Sequence, residues 1–185
     1  VQITASHHPY DRNGLKFFTR SGGLDSEDLD AVIQNTTSLT LPKNHKFLIE
    51  RNDFMSVYSK RLRDMICREV NAENYERPLE GYKIVVDAGN GVGGFYATEV
   101  LEKLGADVSG SQFLNPDGMF PNHAPNPENK EAMKSISDAV IRNHADLGVI
   151  FDTDVDRASC VDENGTEINR NRLVALASII ALEGN

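Results

Sequence analysis

The sequence predicts an α/β protein, with helices flanking a mixed, mainly parallel sheet in three layers. The expectation rests on two buried-strand signals, KIVVDAGNGVGG, which runs into a glycine-rich turn, and LGVIF, which delivers Asp152 at its carboxyl end. Between them lie segments with apolar residues at helical spacing. Strands that alternate with helices form mainly parallel sheets, and ligands collect at the carboxyl ends of such strands.

From the amino terminus, Val1 to Ala5 and Leu15 to Thr19 are β-branched or apolar runs separated by the Asn13-Gly14 turn. Asp25 and Ser26 can cap a helix whose apolar face is Leu29, Val32 and Ile33. Leu41 to Lys46 reads as a connection. A stronger helix begins at Asp53, with Phe54, Tyr58, Leu62, Met65 and Ile66 on its seam. KIVVDAGNGVGG is a buried strand running into a glycine-rich turn, and Val100, Leu101 and Leu104 continue as a helix stopped by Gly105. The turn is neither the GxGxxG pattern nor a Walker loop, so it reads as a helix entry. A strand near Val108 precedes a loop rich in Asn and Pro through Pro127. Glu131 to His144 is amphipathic, with Met133, Ile136, Val140 and Ile141 on one side. Asn169 to Leu182 is a helix apolar almost all round, which calls for burial against partners.

Composition excludes several function classes. The net charge of -9 and the absence of any Lys/Arg run argue against nucleic acid. The longest apolar run, Leu173 to Leu182, is far shorter than the roughly 20 residues of a membrane helix. Cys67 and Cys160 show no CxxC spacing and read as free thiols of an intracellular, cytoplasmic protein, although an organellar location is compatible. Because the chain starts at Val1 in the middle of a strand-like run, it is expected to be a piece of something longer. His45, His123 and His144 read as surface or packing residues.

FDTDVDR places Asp152, Asp154 and Asp156 two apart, directly after a buried strand. In a turn these carboxylates converge, and at about 4 Å each pair repels by roughly 4 kcal/mol at an effective dielectric of about 20. A divalent cation removes that penalty, and an all-oxygen donor set favours a hard ion such as Mg²⁺. An EF-hand loop would also put Asp at these positions and Glu163 at its last. Its glycine position falls on Arg157, however, and the preceding segment is strand-like. An aspartyl-nucleophile phosphatase loop is a further alternative, weakened by Asp156 where Thr or Val is wanted.

TASHHPYDRNGLK, beginning at Thr4, combines a serine, histidines, a proline and an Asn-Gly turn with Lys16. Together with FDTDVDR it resembles the α-D-phosphohexomutase family of phosphoglucomutases and phosphomannomutases. Thr4, Ala5, Ser6, His7, Pro9, Asn13, Gly14 and Lys16 match the family's serine loop, and Asp152, Asp154, Asp156 and Arg157 match its metal loop. DGMFPNHAPNPEN is similar to a segment of the family's second domain. Two positions depart from the pattern: His8 stands where Asn is common, and Thr153 stands where the loop has glycine. A side chain at Thr153 would be strained if the backbone there needed positive φ.

The resemblance implies a phosphoryl carrier at Ser6, with His7, Lys16 and Arg157 as catalytic partners. It implies Mg²⁺ held by Asp152, Asp154, Asp156 and a phosphate oxygen on Ser6. It further implies a hexose phosphate substrate, interconverted between its 1- and 6-phosphates through a bisphosphate intermediate. The family is built from four domains. Residues 1–50 would be the tail of the phosphoserine domain, 51–161 the whole metal-loop domain and 162–185 the start of the sugar-binding domain, with the rest of the third and the fourth domain missing. A catalytically silent scaffold of the same fold is the non-enzymatic alternative.

Overall fold

A computed structural model of the protein describes residues 1–6, 8–40 and 48–183. The expected connection at Leu41 to Lys46 lies outside the described residues. The chain divides into two units, Val1–Ala5 with Asp11–Asp53, and Ser6–Tyr10 with Phe54–Asn185.

In the first unit, β1 (Gln2–Ile3) pairs antiparallel with β2 (Leu15–Lys16), Gln2 opposite Lys16. The pairing closes because Gly14 has no side chain: a Cβ there would stand 2.4 Å from the Thr4 carbonyl oxygen. A second small hairpin joins β3 (Phe18–Thr19) to β4 (Gly22–Gly23). Helix α1 (Ser26–Ser38) follows, and Asp25 caps it by accepting the Asp28 N–H at 2.9 Å.

The second unit contains the expected layers. Strand β5 (Ile84–Asp87) is buried along its whole length and pairs in parallel with β6 (Leu147–Phe151), Val86 opposite Val149. Strand β7 (Ala158–Asp162) pairs antiparallel with β6, so the sheet is mixed. Its ASCVD sequence had not been expected as a strand. Alternation along the strands sorts the core into two layers. Val85, Ile150 and Val161 pack with Ile136, Ala139 and Val140 of α3 (Lys130–Asn143) on one face. Val86 and Phe151 pack with Ala97 on the other face.

Several elements differ from expectation in detail. The helix after the glycine turn is wound as a short 3₁₀ turn at Val92–Gly94 and a π-helical segment at Tyr96–Leu101, with Gly105 at a φ of 101° beyond it. The expected strand near Val108 is reduced to parallel bridges, Lys83 with Asp107 and Asp87 with Gln112. A turn closed by the Ser111 N–H on the Val108 carbonyl interrupts it. On α2 (Phe54–Val70) the buried side chains are Ser59 and Cys67, while Met65 is exposed. Leu62 and Ile66 lie on the same seam, against Val100 and Leu104. On α3, Ala132 and Ala139 take buried places and Ile141 faces out. In both cases smaller side chains take buried positions and a larger apolar one faces outward.

Helix α4 (Arg170–Glu183) forms where expected, but none of its described side chains is buried, and Val174, Ile180 and Leu182 are more than half exposed. Among the described residues no helix is long and apolar enough to cross a membrane. Cys67 and Cys160 are free thiols.

Candidate active site

Strand β6 ends at Phe151 and delivers Asp152, fully buried, into the loop that turns the chain back into β7. The neck of this loop is closed by one residue pair. The Asp152 N–H donates to the Arg157 carbonyl at 3.1 Å, and the Arg157 N–H donates back to Asp152 Oδ1 at 3.1 Å. Arg157 Nε also donates to Asp152 Oδ2 at 3.1 Å. The preceding segment is thus a strand and not the helix an EF-hand requires.

Asp152, Asp154 and Asp156 each offer a carboxylate oxygen, and these oxygens lie within 4.8 Å of one another. Exposure grades along the loop, from buried Asp152 through half-buried Asp154 to exposed Asp156. Burial pushes the Asp152 carboxyl above the usual carboxylate range. The Asp156 and Asp154 carboxylates push it the same way, against the opposing hydrogen bond from the Arg157 backbone. The three acids therefore form a pocket of oxygen donors whose negative charge calls for a cation. The Thr153 hydroxyl is buried beside them with no hydrogen-bond partner among the described residues. The donor set and this vacant hydroxyl fit a hydrated hard cation.

The left-handed residue of the loop is Val155, at a φ of 66°, and not Thr153. A β-branched residue in that region is strained by the order of 1–3 kcal/mol, a cost tolerated where the surroundings over-determine the backbone. Thr153 thus carries its side chain without that strain. The absent side chain belongs instead to Gly91, where a Cβ would stand 2.8 Å from the Thr153 carbonyl oxygen. The Val92 N–H donates to that same oxygen at 2.9 Å. The glycine-rich turn, read from sequence as a helix entry alone, also braces the acidic loop.

Ser6 is half-buried, left-handed at a φ of 55°, and belongs to the same unit as the acidic loop. Arg157 Nη2 donates to Ser6 Oγ at 3.5 Å, a long contact. One guanidinium therefore touches both the serine and the first acid of the loop. Beside it opens a cavity of about 360 Å³, lined in part by Asp156, Arg157, Arg170, Glu128 and Leu173. His7 lies outside the described residues. Lys16 belongs to the other unit, exposed on β2.

A polar cluster that sequence reasoning missed lies at the carboxyl end of β5. Asp87 is fully buried and accepts from Gly89 N–H at 2.9 Å, Gln112 Nε2 at 2.8 Å and Ser135 Oγ at 2.9 Å. His123 Nε2 stands 3.0 Å from both Asp87 oxygens, and Nδ1 stands 3.0 Å from the Ala124 carbonyl. Burial by itself would lower the His123 pKa, but the hydrogen bond and charge of Asp87 outweigh it and the net shift is upward. The one signal in the sequence was an aspartate ending a buried strand, as Asp152 does. His144, by contrast, caps α3 in a left-handed conformation, and His45 is not described.

Comparison with known proteins places this geometry in a family. Residues 57–165 match the family described as phosphoglucomutase/phosphomannomutase, alpha/beta/alpha domain II, and residues 1–41 match its alpha/beta/alpha domain I. A phosphomannomutase/phosphoglucomutase of Pseudomonas aeruginosa is 35% identical over 176 residues, which is 95% of this chain and 35% of that protein. A phosphoglucomutase of Neisseria meningitidis is 31% identical over 188 residues, the whole of this chain and 38% of that protein. A crystal structure of a phosphoglucomutase/phosphomannomutase family protein from Burkholderia thailandensis superposes with a TM-score of 0.78 at 28% identity, covering 99% of this chain and 37% of that one. The chain thus spans little more than a third of the length of these relatives.

Proposed function

Because this chain belongs to the phosphoglucomutase/phosphomannomutase family, we propose that it carries the phosphoserine and metal loops of an enzyme interconverting hexose 1-phosphate and hexose 6-phosphate. The observation that carries the reading is Arg157, which contacts Ser6 Oγ at 3.5 Å and Asp152 Oδ2 at 3.1 Å. A serine, a cation and an acid cluster in one contact chain are the parts that phosphoryl transfer from a serine requires.

In the resting enzyme Ser6 Oγ carries a phosphoryl group with close to two negative charges near neutral pH. Arg157 supports that charge and holds the acid loop at its neck, so the two stay in register. Asp152, Asp154 and Asp156 would hold Mg²⁺ beside the Ser6 phosphate. When bound, the ion supplies charge stabilisation to the transferring phosphoryl group.

The free hydroxyl of a hexose monophosphate attacks phosphorus. Its oxygen–phosphorus bond forms as the bond to Ser6 Oγ breaks, and Lys16 or His7 takes the hydroxyl proton. The resulting hexose bisphosphate turns over within the site and returns its other phosphoryl group to Ser6, which restores the enzyme and releases the isomeric monophosphate. The cavity beside Arg157 and Arg170 gives an anionic sugar a place to lie. The proposed division of the chain is 1–50, 51–161 and 162–185, the last, which contains α4, being the start of the sugar-binding domain. The choice among hexoses belongs to that domain and to the fourth.

Mass spectrometry of the longer protein containing this chain tests the proposal. Ser6 is expected to carry a phosphate that is lost on adding hexose monophosphate. A Ser6 never phosphorylated, with a Ser6→Ala variant that still turns over glucose 1-phosphate, would overturn it.

A further inference from the structure

Asp87 and His123 form a buried hydrogen-bonded pair. Both ring nitrogens of His123 stand 3.0 Å from oxygens, those of the Ala124 carbonyl and the Asp87 carboxylate, an arrangement that a doubly protonated ring beside an ionised Asp87 satisfies at both ends. Its side chain is 4% exposed and that of Asp87 is 0% exposed. A buried charge of this kind persists only with a full set of partners, and Asp87 has them in Gly89, Gln112 and Ser135. The upward shift of the His123 pKa agrees with the geometry.

The pair grips one side of the glycine-rich turn. The Gly89 N–H is held by Asp87 Oδ1, and a Cβ on Gly89 would lie 3.0 Å from the His123 ring and 3.0 Å from Pro125. Asn90, left-handed at a φ of 61°, is tied to the same long loop: its N–H donates to the Phe113 carbonyl at 2.9 Å, and its Oδ1 accepts from Asn122 Nδ2 at 2.7 Å. The other side of the turn grips the acidic loop, through the Val92 N–H on the Thr153 carbonyl and through Gly91 against the Thr153 backbone. Thr153 stands between Asp152 and Asp154.

We infer that Asp87 and His123 are positioning residues for the cation site, acting through the Gly89–Val92 turn on the Thr153 carbonyl and so on the spacing of the Asp152 and Asp154 carboxylates. The inference rests on the metal-loop reading above. Neither residue touches the ion. Outer-shell contacts of this kind typically change metal affinity by about 10- to 100-fold when removed.

The test is a double-mutant cycle on the 185-residue chain, with Mn²⁺ alone as the probe and its binding read by electron paramagnetic resonance. Val92→Pro deletes the N–H that holds Thr153 and is compatible with the first position of a helical turn, where the preceding Gly91 is already extended. His123→Gln and Val92→Pro are each expected to weaken Mn²⁺ about tenfold, and the double variant no further than either, because both cut one path. Multiplication of the two losses to about a hundredfold would overturn the inference, as would unchanged affinity in folded His123→Gln. Should His123→Gln not fold, Ser135→Ala, which removes a single donor from Asp87, takes its place; a loss of about threefold supports the inference and none overturns it. A wild-type chain that binds no Mn²⁺ removes the metal reading itself, whereas wild-type binding with insensitive variants removes only the positioning role.

Discussion

Arg157 joins Ser6 to Asp152 although the serine lies 151 positions away in the chain, with Nη2 at 3.5 Å from Ser6 Oγ and Nε at 3.1 Å from Asp152 Oδ2. The two contacts use different nitrogens of a planar fork, a division that an ammonium cannot reproduce. On the proposed function, Arg157→Lys is therefore expected to slow phosphoryl transfer from Ser6 to a hexose monophosphate by about 10- to 100-fold, the equivalent of about 1.4–2.7 kcal/mol. Rapid-quench measurement checks it, and a rate within twofold of wild type would remove Arg157 from the mechanism.

A divalent cation should stabilise the acidic loop. At a concentration of Mg²⁺ one hundredfold above its dissociation constant, the folded chain is expected to gain about 2.7 kcal/mol. Calorimetry with and without the ion measures this. Asp154→Asn, which removes one carboxylate from the cluster, should abolish most of the gain while leaving the metal-free protein no less stable, because a like-charge repulsion goes with it.

The Asp87–His123 pair makes stability depend on pH in the opposite sense from an ordinary ion-paired aspartate. The folded pKa of His123 lies above its unfolded value, so the folded state holds this proton more tightly. The resulting stabilisation is complete below the unfolded histidine value of about 6.5 and is lost as pH rises through the higher folded value. Asp87 and Glu131 are the acids that face the ring and raise it. At pH 6, His123→Leu is expected to lower the unfolding free energy by about 3–5 kcal/mol, since it leaves Asp87 buried and unpaired. Urea titrations of wild type and variant should converge as the pH is raised. Parallel curves across that range would contradict the charged pair.

Gly91→Ala should damage the protein without any strain in φ, since Gly91 already lies at a φ of -79°. The new methyl group would stand 2.8 Å from the Thr153 carbonyl oxygen and 2.9 Å from Thr153 Cα, both backbone atoms that move only with the loop. A loss of about 1–3 kcal/mol in unfolding free energy is expected, as for other overpacked sites. Full retention of stability would show that the acidic loop is freer than its contacts imply.

Packing makes a contrasting pair of expectations. Ile136→Ala, at a fully buried position against the sheet, should cost about 2–5 kcal/mol. Met65→Ala should stay within about 0.5 kcal/mol, because Met65 lies off the buried seam of α2. Denaturant unfolding of the two variants separates them.

Patterning alone was enough to recover the elements built on continuous signals. IVVD and LGVIF are legible as buried strands because nearly every residue in them is apolar, and the amphipathic stretch ending at His144 is legible because its apolar residues recur at helical spacing. The acid triplet is a local signal too, since its spacing and its place after a buried strand are both visible in the eleven residues LGVIFDTDVDR. Strand β7 was not legible: ASCVD is weakly apolar and becomes a strand by pairing with β6. Nor was the seam of α2 resolved, because Met65 and Cys67 satisfy similar periodicities and only the neighbouring Val100 and Leu104 choose between them.

What the chain determined by itself was its alternation of elements, its acidic balance and the local grouping of its reactive side chains, since each of these depends on residues close together in sequence. Tertiary structure alone decided that Arg157 bonds to Ser6. It also decided that His123 pairs with Asp87, 36 residues away, and that Gly91 supplies the space Thr153 occupies. These relationships arise from hydrogen bonds and steric contacts between distant segments, whose energies exist only once folding has brought the partners within a few ångströms of each other.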